Sequence, residues 1–290
     1  MINPAVLLLA VLGGFISLFL LLFLIYILVL IRPSGRAPSD KSLICDYAHR
    51  GLHSDTVPEN SLEAFELACR AGHGIELDVQ LSRDGEVMVF HDYTLVRMTG
   101  DDRKLCELDA AELKELRLKG TEQRIPTFKE VLELVDGRVP ILVELKGEDF
   151  DTSLCPKVAE ILDGYSGSFC IESFNPLLVK QMRENFPDVF CGLLYTNAVK
   201  EKKKASVINI AVTLMALNFL CKPNFIAFDE KYRKSFFVKV TTKFYKTPKF
   251  VWTIKSEESL DTAHKLGECP IFEGIESMRE INKLRLLNLR

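Results

Sequence analysis

Short apolar runs alternate with helical patterns along most of this chain, and that alternation most restricts its fold. Strand-like runs fall at residues 43–49, 74–79, 86–91, 140–145, 168–173, 189–195, 224–229 and 250–254. Helical periodicity falls at 61–71, 110–118, 128–135, 154–162, 176–185 and 260–266, the first capped by Asn60 or Ser61. Buried strands alternating with helices call for a parallel sheet covered on its faces. Eight candidates favour closing it, so the expected class is α/β, a (β/α)8 TIM barrel. The chain from Arg36 onward has roughly the 250 residues typical of such a barrel.

The start of the chain lies outside this pattern. Residues 6–31 contain no charge and are long enough to cross a bilayer with some tilt. A cleavable signal peptide fits poorly, because no basic region precedes the run and no small-residue cleavage site follows it. Arg32, Arg36 and Lys41 follow the span and nothing basic precedes it, which places the remainder on the cytoplasmic side. The expected organisation is an anchor at 1–32, a linker at 33–42 and a barrel domain at 43–290.

One connection breaks the barrel rhythm. Between Asp78 and His91 there is room for little more than a turn at Asp84-Gly85. A parallel crossover needs about a dozen residues or more, so this stretch reads as a hairpin that brings His91 beside Asp78. Residues 93–124 are polar and irregular, with one helix expected, and read as a small insertion over the barrel mouth after the third strand. Residues 205–221 are uncharged but short for a span and contain Asn209 and Asn218; a buried or surface-docked helix is expected there.

Net charge is −3, but residues 200–249 hold 12 basic and 3 acidic residues, a local +9. The block reads either as a solvated face or as a surface attracted to anionic lipid. No nucleic-acid partner is expected. The eight cysteines form no CxxC pair, which argues against zinc, and several sit in apolar runs as buried free thiols would.

The chemistry is concentrated in five short motifs: AHRG at 48–51, PEN at 58–60, ELD at 76–78, FHD at 90–92 and ELK at 144–146. Glu76 and Asp78 are two apart, so on a strand both carboxylates share a face. Glu144 ends another apolar run and can supply a third oxygen. An all-carboxylate set suits Mg2+ or Ca2+. Read alone, the pair could equally be surface alternation. His49 and His91 each close an apolar strand and precede a charged residue, which suits a general acid and a general base. Arg50 can hold a phosphate oxygen bidentately, and Lys146 adds a second positive charge. His53, His73 and His264 lack such settings and read as structural or surface residues.

These motifs, in order and spacing, with SFNP and WTI after them, resemble the glycerophosphodiester phosphodiesterase family from about Leu43 to Lys255. The resemblance implies a barrel related to phosphatidylinositol-specific phospholipase C. It also implies cation-dependent hydrolysis of glycerophosphodiesters to glycerol 3-phosphate and an alcohol. Carried over by motif, His49 and His91 are the acid/base pair, and Glu76, Asp78 and Glu144 bind the metal. Arg50 and Lys146 contact phosphate, Glu59 supports the site, and Trp252 lines the glycerol pocket. The chain departs from the family pattern at GECPIFEG, where Glu273 stands as a candidate replacement acid. Two alternatives remain at this level: cleavage of membrane lysophospholipids in lysophospholipase D fashion, and a catalytically silent lipid- or protein-binding barrel.

Overall fold

The structure, a computed structural model, describes residues 3–147 and 150–275. The end of the expected barrel domain, 276–290, lies outside the described residues. Nine strands form one sheet: β1 Tyr47–Ala48, β2 Gly74–Leu81, β3 Val87–Val89, β4 Ile141–Leu145, β5 Phe169–Ser173, β6 Cys191–Tyr195, β7 Phe225–Asp229, β8 Lys249–Ile254 and β9 Cys269–Phe272. Their order is β1-β9-β8-β7-β6-β5-β4-β2-β3, and β1 also pairs with β2. Eight parallel strands therefore close a barrel, with β3 paired antiparallel to the C-terminal end of β2.

Two sequence expectations change here. The run at 86–91 is not a barrel stave but the return arm of the Asp84-Gly85 hairpin, with Val79 opposite Val89. The eighth stave is β9, drawn from the GECPIFEG stretch; it completes the barrel between β8 and β1. The expected helices at 128–135 and 176–185 form as Phe128–Val135 and Pro176–Asn185, and Ser61 caps Leu62–Ala71 through its side chain. Residues 93–124 fold into short helical turns, not one helix, around a small core that includes Leu95, Met98, Leu105 and Leu113.

Alternation along each strand sorts the barrel interior by height. Ile75, Leu77 and Val79 face outward into the core beneath the helices, leaving Gly74, Glu76 and Asp78 to face inward. The same parity puts Leu142 below Glu144, Cys170 below Glu172, and Tyr47 below His49. The floor is aromatic: the Phe225 and Phe250 rings stack with centroids 4.2 Å apart, and Tyr47 leans on Phe250 at 5.8 Å. The mouth, at the C-terminal ends of the strands, is charged. This is the end at which barrels of this class carry their chemistry.

At the N-terminus, helix Pro4–Ile25 continues through a wider turn, Tyr26–Leu30. These 27 residues form the one helix among those described that is long and apolar enough to cross a membrane. The segment after it is tied to the barrel floor: the Ser34 N–H donates to the Pro223 carbonyl at 2.9 Å, and Arg36 pairs with Asp188 at 2.7 Å.

Gly192 is in register with Phe225 on the neighbouring strand, and an added Cβ would sit 2.1 Å from the Phe225 ring. Gly192→Ala should therefore overpack the barrel and cost roughly 1–3 kcal/mol, read as a lowered midpoint in thermal or urea unfolding. A variant as stable as wild type would show that the floor is not tightly packed.

Candidate active site

Strand pairing brings the mouth carboxylates together. Asp78 on β2 is in register with Glu144 on β4, and Glu144 with Glu172 on β5. Glu76, Asp78 and Glu144 offer oxygens that all lie within 4.8 Å of one another, and all three residues are buried. Burial and the Asp78 charge push Glu76 well above the ordinary carboxylate range. Burial raises Glu144 to about 7, against the pull of Lys146. Burial would raise Asp78 too, but Lys146 and Arg50 outweigh it and hold that carboxyl low. Lys146 lies between two of the acids, its Nζ 2.9 Å from Asp78 and 2.8 Å from Glu144.

The AHRG turn sits against this cluster. Arg50 has φ 56° and Gly51 φ 80°, and a Cβ on Gly51 would lie 2.8 Å from the Ala64 backbone, so the turn needs glycine there. The turn aims the Arg50 backbone N–H at Glu76, 2.9 Å away. The Arg50 guanidinium is already engaged, donating to Glu59 at 2.7 Å and standing 3.5 Å from Asp78. Asn60, the last residue of PEN, donates through Nδ2 to Asp78 at 2.8 Å.

Both histidines flank the acids, and each has a carboxylate at Nδ1. His49 Nδ1 lies 2.6 Å from Glu273, and His91 Nδ1 lies 2.6 Å from Asp92. An ionised carboxylate only accepts, so Nδ1–H donates and Nε2 is the exchangeable nitrogen. His49 Nε2 is 4.0 Å from Glu76. The hairpin works as expected with a one-residue offset: the Phe90 N–H donates to the Asp78 carbonyl at 2.9 Å, and His91 follows. Gln80 secures this end, its Nε2 donating toward the carbonyls of Phe90, His91 and Asp92. Burial lowers the pKa of both imidazoles, opposed by Glu273 at His49 and by Asp78 at His91. The His49 contact holds the Glu273 carboxyl far below its ordinary range.

Trp252 stands on β8, its Nε1 donating to the Ala227 carbonyl at 3.1 Å and its ring edge-on to Phe174 at 5.6 Å. Of the other histidines, His73 meets the Phe272 ring edge-on and His264 pairs with Asp46 at 2.9 Å. His53 lies closer to the site than expected, 3.8 Å from Glu273. Sequence reasoning gave no role in the site to four further residues. Asp92, inside the FHD motif, orients His91. Arg97 bridges Asp92 and Glu59, at 2.5 Å and 2.7 Å, and comes from the irregular insertion. Asn60 holds Asp78. Glu172 is a fourth buried mouth carboxylate; its Oε2 has no hydrogen-bond partner among the described residues, and burial raises its pKa strongly. Its signal was available, since Glu172 stands two residues above Cys170 on an apolar strand.

An eight-stranded barrel with acids, a buried lysine and two imidazole–carboxylate pairs at its mouth defines a class. Residues 49–273 match the model of the glycerophosphoryl diester phosphodiesterase family. The chain is 31% identical over 231 residues to a glycerophosphodiester phosphodiesterase of Caldanaerobacter subterraneus, covering 76% of this chain and 89% of that protein. It is 34% identical over 131 residues to a lysophospholipase D of Rattus norvegicus, covering 41% of this chain and 40% of that one. A glycerophosphodiester phosphodiesterase from Thermotoga maritima superimposes with a TM-score of 0.62 at 28% identity, over 83% of this chain and 98% of that one. A phosphodiesterase from Oleispira antarctica, solved with sn-glycerol 3-phosphate, shares the fold at a TM-score of 0.64 and 23% identity, over 79% and 92% of the two chains. The chain belongs to the glycerophosphoryl diester phosphodiesterase family, and is a phosphoric diester hydrolase.

Glu59 carries the clearest pH consequence. Burial opposes its ionisation, but Arg97 and Arg50 hold it at about 2, below the ordinary 4.5. A depressed carboxylate stabilises the fold fully above the unfolded value, and that contribution disappears as pH falls through the folded one. Wild type should thus lose up to about 3 kcal/mol between about pH 4.5 and 2 through this residue. In Glu59→Gln that part of the acid-unfolding slope should be missing and neutral-pH stability lower. An unchanged acid transition would show that the Arg97–Glu59–Arg50 bridge is not formed in solution.

Proposed function

We propose that this chain hydrolyses glycerophosphodiesters to glycerol 3-phosphate and an alcohol, using His49 and His91 as the acid/base pair. The observation that carries this reading is the pair of imidazole–carboxylate couples, His49–Glu273 and His91–Asp92, on either side of one buried acidic cluster. Each carboxylate fixes its ring and leaves Nε2 to exchange a proton. One imidazole takes the proton from the attacking hydroxyl, of water or of the substrate's neighbouring glycerol carbon. The other gives a proton to the departing alkoxide.

Glu76, Asp78 and Glu144 fit a divalent cation: the donors are all oxygen, they are buried, and burial together with their mutual repulsion raises two of the three. A bound Mg2+ or Ca2+ would neutralise phosphate charge and polarise the P–O bond. Arg50 and Lys146 add positive charge on the phosphate side, Glu59 holds Arg50 in place, and Trp252 with Phe174 walls the glycerol end. Helix Pro4–Leu30 is read as a membrane anchor with the barrel cytoplasmic, since Arg32 and Arg36 follow it. The chain then divides into anchor 1–32, linker 33–42 and a barrel domain from 43.

A second substrate reading is favoured by the same helix. An anchored barrel meets lysophospholipids at the bilayer surface, and the rat relative is named a lysophospholipase D. Equal concentrations of glycerophosphocholine and lysophosphatidylcholine separate the two: preference for the lysolipid selects the second reading. Release of glycerol 3-phosphate from a diester panel, with and without EDTA, tests the first.

His49→Ala and His91→Ala should each lower kcat by roughly two to four decades while leaving the melting temperature close to wild type. Each should also flatten one limb of a bell-shaped pH profile; full activity in either variant sinks the two-histidine mechanism.

Cation binding should also be linked to protons. Glu144, raised to about 7, is protonated below that pH when no cation is bound. Mg2+ or Ca2+ must displace that proton, and any held by Glu76, so affinity should weaken by about tenfold or more per pH unit below 7. Titration calorimetry at pH 6 and pH 8 reads this directly, without turnover. Affinity independent of pH across that interval would remove Glu144 from the cation site.

A further inference from the structure

The helix meets the barrel at a defined height, and this sets which part of the domain faces lipid. Tyr26 donates through its hydroxyl to the Leu214 carbonyl at 2.7 Å, Tyr245 to the Ile27 carbonyl at 2.5 Å, and Asn218 Nδ2 to the Ile31 carbonyl at 2.7 Å. Ser34 then reaches Pro223, below β7 at the barrel floor. Leu214 lies near the other end. Tyr195, the last residue of β6, donates to the Thr213 carbonyl at 3.2 Å. The chain therefore descends from mouth to floor between Tyr26 and Ser34, and the helix before Tyr26 projects past the mouth. An aromatic residue at the inner end of a span marks the headgroup level.

What stands at that level is apolar and uncovered. Helix Val207–Thr213 exposes Val207 by 86% and Ile208 by 58%. Phe236, 53% exposed, opens helix Phe236–Lys239. Its neighbour Ser235 is hydrogen-bonded to the same Tyr195 hydroxyl at 3.3 Å, so the helix that carries Val207 and Ile208 and the one that Phe236 opens are tied to one point beside the end of β6. Exposed Lys203, Lys204, Lys234 and Lys239 border them, within the segment of 12 basic and 3 acidic residues. Apolar side chains flanked in sequence by exposed lysines, beside a bilayer-length helix, match an anionic lipid interface in both polarity and charge.

We propose that Val207, Ile208 and Phe236 form a second membrane contact that seats the barrel mouth on an anionic bilayer surface. It rests on the anchor reading of the N-terminal helix and commits to lipid as occupant. The shift from a solvated face to a lipid-facing one changes what the mouth meets, since a substrate leaving the bilayer would enter beside these residues.

Photo-crosslinking of the full chain in nanodiscs tests this. Benzoylphenylalanine would replace Val207 or Phe236, with Leu21 inside the span as positive control. Lys129, on the helix over the opposite wall, serves as negative control. Labels at 207 and 236 should form lipid adducts in discs containing phosphatidylserine, lose most of them in phosphatidylcholine discs or high salt, and find none at 129. Adducts at Leu21 with none at 207 and 236 overturn the docking surface and leave the anchor standing. No adducts at Leu21 overturn the anchor and the proposal with it. Equal labelling in both lipids removes the anionic preference, and covalent dimers in place of lipid adducts assign the face to a second copy of the chain.

Discussion

Carboxylates that share one buried volume cannot all be charged unless something positive lies among them, and the mouth of this barrel is built around that constraint. The Asp78–Glu144–Glu172 row crosses three adjacent strands, with Glu76 beside it. Adjacent strands stand only about 4.8 Å apart. At that spacing and burial, repulsion and lost hydration together raise the proton affinity of most of the row. Lys146, placed between Asp78 and Glu144, and Arg50, placed by the AHRG turn, settle Asp78 as the ionised member. Arg50 in turn needs Glu59, and Glu59 is also held by Arg97. Removing a link therefore shifts charge elsewhere in the chain of contacts, and effects of paired substitutions here should not add.

The same spacing explains how much of the site was legible from sequence. ELD and ELK could be read because strand parity is a strict rule: residues two apart face one way, and a carboxylate above an apolar stave has to point into the mouth. The hairpin could be read because Asp84-Gly85 leaves no room for a crossover. The eighth stave was missed for a physical reason. Cys269–Phe272 is four residues long, contains a proline, and has too few positions to show alternation. Conversely, 86–91 has the apolar density of a stave, and only the short connection before it marks it as an antiparallel return arm. Arg97 was beyond reach because irregular insertions have no period from which a side chain's aim can be read.

Missing β9 also obscured Glu273. In sequence it is a lone acid in an unfamiliar segment; in the fold it sits just above β9, which lies beside β1, and so it meets His49. The departure from the family pattern thus falls on a residue whose position is supplied by barrel closure. His91 obtains its carboxylate locally, from the next residue, whereas His49 obtains one from 224 positions away. The two couples are alike in geometry but differ in what they require of the fold: loosening β9 would disturb His49 and spare His91.

Barrel closure also links the site to the end of the molecule that carries the N-terminal apolar helix. β6 and β7 present inward residues to the mouth, while their outward residues and connecting segments receive the N-terminal helix. Tyr195 joins both roles, ending β6 beside the mouth and binding Thr213 and Ser235 on the outer wall. Tyr26 reaches the same region from the helix, through Leu214. The helix is therefore fixed to the wall nearest the strand ends by three side-chain donors, Tyr26, Tyr245 and Asn218, each bound to a backbone carbonyl, which together set its height. A flexible tether would leave the barrel free to turn relative to the helix. A helix fixed at three carbonyls over one turn and a half does not, so the direction in which the mouth faces is a property of the fold.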